Sequence, residues 1–98
     1  MMMLAFDENR KYYRLSLNSP CKITLEGEII YGICKDISAT GMSFQTSASS
    51  LIEGSVLLIE TKSQDPKIPS ILADAEVIRV NSMDDENYLI GVKFLQLN

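Results

Sequence analysis

The chain of 98 residues is 46% hydrophobic and 22% charged, which suits one domain with a single core and excludes a disordered polypeptide. A net charge of -4 argues against non-specific binding of DNA or RNA, and no apolar run approaches the ~18–20 residues that cross a membrane. Cys21 and Cys34 are too few for a disulfide framework and read as buried free thiols.

Residues 1–14 lack sustained periodicity and are expected to form a mobile N-terminal arm. Their opening "MMMLAF" has no basic region ahead of it and is too short for a signal peptide, so it marks the translation start or a hydrophobic plug. Strand signals dominate from 15 to 98. Cys21, Ile23 and Leu25 alternate with Lys22, Thr24 and Glu26, the period of a half-buried strand. Glu26-Gly27-Glu28 then turns the chain into "IIYGICKDI", rich in β-branched residues. "GMSFQTS" restarts the alternation at Met42 and Phe44, and "SASSLIEG" ends in a turn at Gly54 before the strand "SVLLIETK". Pro66 and Pro69 bracket a loop. "ILADAEVIRV" and "YLIGVKF" are two further strands, joined by the acidic turn "NSMDDEN". Six or seven short strands with no sustained helical pattern predict an all-β antiparallel barrel, since closure disposes of exposed strand edges.

Catalytic machinery is missing from this inventory. There is no histidine, and neither a Gly-x-Ser-x-Gly nor a P-loop pattern occurs, so the two thiols lack a base to activate them. The carboxylates fall largely in turns such as Asp84-Asp85-Glu86, where a solvated surface is the default. No spacing fits a calcium loop, and no metal or cofactor is expected.

Two stretches carry recognition chemistry instead. "RKYYR" holds Arg10 and Arg14, two of the three arginines in the chain. A guanidinium offers a planar fork of donors that matches phosphate oxygens and the O6/N7 edge of guanine, and its face stacks on purines. "DISATG" sets Asp36, Ser38 and Gly41 at fixed offsets near a strand end. A carboxylate at 36 can accept from the N1–H and N2–H2 of guanine, an arrangement adenine does not present. Ser38, two residues on, shares its face of the strand, and Gly41 lets backbone turn and a ligand approach closely. Arg-x-x-x-Arg followed by Asp-or-Asn-x-Ser-x-x-Gly arises by chance in about 1% of chains this size, so the pair means more than either part.

On these residues the chain resembles a PilZ domain, the bacterial receptor module for cyclic di-GMP. The resemblance extends through "GMSFQT", "IEGSVLLIE" and "AEVIRV…YLIGVKF", and so covers nearly the whole chain. It implies a six-stranded antiparallel barrel over 15–98 preceded by the 1–14 arm, in a single-domain, stand-alone protein of the bacterial cytoplasm. It also implies that Arg10 and Arg14 wrap the guanines and phosphates of cyclic di-GMP while the strand bearing Asp36, Ser38 and Gly41 reads a guanine edge. Asn9 stands where many relatives carry a further basic residue, a position that bears on whether one or two ligand molecules bind. Arg79 reads first as an exposed strand residue, although some relatives place a ligand contact on that part of the barrel. The expected function is a non-enzymatic receptor whose arginine arm orders on the ligand and signals to a protein effector. The rival is a PilZ-fold adaptor that binds protein alone. A single-stranded nucleic-acid barrel is disfavoured, because the acidic balance and the sparse Tyr12, Tyr13, Tyr31 and Tyr88 do not make a basic, aromatic groove.

Overall fold

The computed structural model describes residues 15–61 and 70–98. The arginine pair Arg10 and Arg14, the expected arm and the loop bracketed by Pro66 and Pro69 lie outside them. Six strands run β1 Leu15–Leu25, β2 Glu28–Ile37, β3 Gly41–Thr46, β4 Val56–Thr61, β5 Ile71–Ser82 and β6 Tyr88–Leu97. They close into a barrel in the order β1-β2-β3-β6-β5-β4, and every neighbouring pair is antiparallel. The expected all-β six-stranded barrel is therefore the observed fold, and no helix occurs among the described residues.

Alternation builds the core. Cys21, Ile23, Ile30, Cys34, Met42, Phe44, Leu57, Ile59, Ala75, Val77, Ile90 and Val92 point inward, each under 6% exposed. Leu51, from the segment between β3 and β4, closes the core at 3% exposure. That segment is tied down by Gly54 N–H to Val77 O at 2.8 Å and by Val77 N–H to Ser55 O at 2.8 Å. β1 is longer than the alternation at 21–25 announces. Among the described residues β4 pairs with it over Cys21–Thr24, and Pro20 lies opposite Ile33 of β2.

The hairpin between β1 and β2 turns on Glu26 (φ 51) and Gly27 (φ 87). Two left-handed residues match the twist of the flanking strands, at some cost for a glutamate in the first position. Both thiols are free and buried. Burial pushes Cys21 up to about 12, with the neighbouring Cys34 adding to it. Burial likewise pushes Cys34 up to about 11, and the Asp36 charge adds to that shift.

Candidate functional site

Strict alternation along β2 would send Asp36 into the core. Ile30 and Cys34 are buried, so the even-numbered positions face inward as far as 34. Yet the next buried residue is Ile37, three positions on. The register explains the change: Cys34 pairs with Phe44 and Asp36 with Ser43, so two steps of β2 oppose one step of β3. Lys35 is the extra residue of a β-bulge, and it rotates the rest of the strand. Asp36 and Ser38 thereby flank inward Ile37 on the outer side of the barrel. Opposite, β1 carries its own irregularity between Ser16 and Ser19, and Lys35 Nζ donates to Asn18 Oδ1 at 2.6 Å across the two.

Beyond Ile37 the chain reverses through Ser38-Ala39-Thr40-Gly41. Ser38 N–H donates to Gly41 O at 2.8 Å, and the Ser38 hydroxyl lies 3.3 Å from the same oxygen. Thr40 N–H approaches Ser38 Oγ at 3.4 Å, while Phe94 N–H donates to Thr40 O at 2.8 Å and pins the turn to β6. Gly41 has no positive φ. Its side-chain position is instead taken up by β6, for a Cβ there would stand 2.2 Å from Val92 O. The glycine thus serves close approach of two strands, and its backbone is not in the left-handed turn conformation.

Register carries Asp36 into a row across the outer surface. Ser16 on β1 pairs with Asp36, Asp36 with Ser43 on β3, Ser43 with Gly91 on β6, and Gly91 with Arg79 on β5. Paired residues share a face. A further bulge, between Val77 and Arg79, puts Arg79 in this row. Its guanidinium lies over Gly91: a Cβ on that glycine would be 2.8 Å from Arg79 Nη2 and 3.1 Å from Cζ. Absence of a side chain at 91 lets Arg79 lie flat on the barrel, along the row that leads to Ser43 and Asp36. One step along the strands, Lys93 pairs with Gly41 and holds Glu76 at 3.6 Å. The sequence marks Asp36, Ser38 and Gly41, and the structure brings them together at one end of β2 and β3. The Arg79–Gly91 element was not legible, because it depends on a register between β5 and β6 that alternation does not specify.

Chemically, this face carries a carboxylate acceptor, a hydroxyl and an exposed guanidinium, with the buried Ser43 and the side-chain-free Gly91 between Asp36 and Arg79. No cluster of potential metal ligands occurs among the described residues. A family model of the PilZ domain matches residues 8–98. A search of curated proteins finds no match. Among solved structures, the Bacillus subtilis inhibitor of motility (MotI/DgrA) superposes with a TM-score of 0.71 at 20% identity, over 87% of this chain and 42% of that one. This chain thus spans less than half of that relative. The PilZ domain with c-di-GMP of YcgR from Escherichia coli superposes with a TM-score of 0.68 at 19% identity, over 86% of this chain and 76% of that one.

Proposed function

Since this chain belongs to the PilZ domain family, whose members are receptor and adaptor modules, we propose that it is a cyclic di-GMP receptor of the cytoplasm. The observation that carries this reading is the outward rotation of Asp36 and Ser38 by the Lys35 bulge, in one row with Arg79. Asp36 accepts from the N1–H and N2–H2 of one guanine, and Ser38 adds a short-range polar contact. Arg79 presents its planar face or its donors to the same ligand. Arg10 and Arg14, four residues apart just ahead of β1, grip the phosphates and stack on the bases. Gly41 contributes by keeping β3 against β6, so that the turn bearing Ser38 stays low. Closure of the arginine segment over the ligand then builds a new surface for a protein effector.

Calorimetric titration tests the reading. Cyclic di-GMP should bind with measurable heat and cyclic di-AMP at least about tenfold more weakly, since one matched base contact is worth ~1–3 kcal/mol. Asp36→Ala should lose most of that discrimination while keeping its melting temperature. Equal affinity for both dinucleotides would remove Asp36 from the site, and no binding of either would leave the protein-only adaptor as the function. Amide exchange from Glu8 to Leu15 should slow on adding ligand while most strands are unchanged. An unaltered pattern there would sink the arm-closure mechanism.

A further inference from the structure

Farther along the strands, a different row runs across the outer surface. Tyr31 on β2 pairs with Lys22 on β1, Lys22 with Glu60 on β4, and Glu60 with Leu72 on β5. Tyr31 is 72% exposed and Leu72 41%, and along β2 the same face shows Ile29 at 50% and Ile33 at 44%. A β2 strand that is apolar on both faces has no reason to be so in a barrel whose core lies on one side only. Ile29, Tyr31 and Ile33 follow one another along one face of β2, and such contiguous exposed apolar side chains commonly mark an interaction site.

We propose that the outer face of β1 and β4 is a self-association surface, and that its occupant is a second copy of this chain. Charge order is the argument. Read across the strands, the row is apolar, cationic, anionic, apolar. A two-fold axis parallel to the strands and lying between β1 and β4 sets Lys22 against the partner's Glu60 and Tyr31 against the partner's Leu72, each contact occurring twice. The same row contains a cleft of about 250 Å³ lined by Pro20, Cys21, Lys22, Tyr31 and Glu60, large enough to take a leucine side chain. An effector of arbitrary charge would have no need of this internal symmetry. Together with its polar rim the face falls short of the ~800 Å² per partner of a standard interface, so the dimer is a weak and reversible one. In the strand order β1-β2-β3-β6-β5-β4, β6 and β3 lie opposite β1 and β4. Asp36 lies five residues from Tyr31 along β2 and Arg79 seven from Leu72 along β5, so the two rows are displaced along the strands and the proposal stands independently of what binds at the first.

Sedimentation equilibrium across a wide concentration range tests it on the full chain. Wild type should show a reversible monomer–dimer equilibrium, and Tyr31→Asp should raise its dissociation constant at least about tenfold, as loss of an aromatic anchor does. Lys22 and Glu60 are also neighbours within one chain, so the decisive arm is a mixture. Lys22→Glu and Glu60→Lys should each weaken the dimer alone, whereas an equimolar mixture of the two variants should regain it as a heterodimer in which both charge contacts are again opposite in sign. Circular dichroism melts establish that each variant is folded. Wild type that stays monomeric throughout, a dimer indifferent to Tyr31→Asp, or a mixture no tighter than its components would each overturn the proposal. So would a monomer whose Tyr31 is shielded from a soluble quencher, because another segment of the chain would then occupy the face.

Discussion

Gly41 and Gly91 sit on the same pair of strands, and both are glycine because something occupies the place of a side chain. What occupies it differs, and so do the consequences. At Gly41 the obstacle is a backbone carbonyl, Val92 O at 2.2 Å, which cannot move without displacing β6. Gly41→Ala should cost about 1–3 kcal/mol, the usual range for overpacking, and shift the denaturation midpoint accordingly. At Gly91 the obstacle is the end of Arg79, which is free to swing into solvent. Gly91→Ala should leave stability within ~0.5 kcal/mol of wild type. If Arg79 contacts cyclic di-GMP, Gly91→Ala should still weaken the ligand by the same factor as Arg79→Ala. Charge-assisted hydrogen bonds of ~1.5–3 kcal/mol make that factor about tenfold or more. Full affinity in Gly91→Ala beside reduced affinity in Arg79→Ala would mean that the guanidinium does not need to lie flat.

At the level of elements, β2 shows what can and cannot be read from a sequence. Alternation identified the strands and paired Asp36 with Ser38 on one face, but it could not say which face. Ile30, Gly32, Cys34 and Asp36 form an unbroken even-numbered series, and only the unpaired Lys35 breaks it. Nothing in "ICKDI" announces a bulge, because the bulge is imposed by the partner strand and by the cost of burying a carboxylate. This separates the position from the side chain that fills it. Lys35→Ala keeps the extra residue and loses the bond to Asn18, so it should lower stability by only ~0.5–1.5 kcal/mol. Deleting Lys35 restores strict alternation, drives Asp36 inward, and should cost several kcal/mol, with loss of the cooperative melt or of nucleotide binding. A deletion variant that melts and binds like wild type would show that the bulge does not set the face. The turn after β5 follows a simpler logic. Asp84 Oδ1 accepts from Glu86 N–H at 2.8 Å, and Asn87 Nδ2 donates to both carboxylate oxygens, which holds the Asp84 carboxyl below its ordinary value.

For the molecule as a whole, the two core thiols set an alkaline limit. Their folded values lie at about 12 for Cys21 and about 11 for Cys34, against an ordinary value of 9.0. Above that ordinary value the unfolded chain has released protons that the folded chain retains, so unfolding gains as pH rises. The contribution is therefore fully present below about pH 9 and declines from there toward about 11 for Cys34 and about 12 for Cys21. Chemical denaturation from about pH 8 to about pH 11 should show this fall, and Cys34→Ala should start lower but decline less steeply, since a cavity replaces a titrating group. Equal slopes would mean that the Cys34 thiol ionises alike in both states. Native thiols should also react slowly with disulfide reagents at neutral pH, because the reactive form is the thiolate.

The row Ser16–Asp36–Ser43–Gly91–Arg79 is contiguous in space but is drawn from five strands, and it includes the first and the last of the six. During synthesis on the ribosome, Asp36 and Ser38 emerge before Gly91 and the strand that clamps the 38–41 turn. A chain translated only as far as β5 therefore holds Asp36 and Ser38 without the row they belong to. The row is complete only when β6 stands between β3 and β5 and closes the ring. If the chain is the receptor proposed, a fragment ending before Tyr88 should accordingly give no heat on titration with cyclic di-GMP.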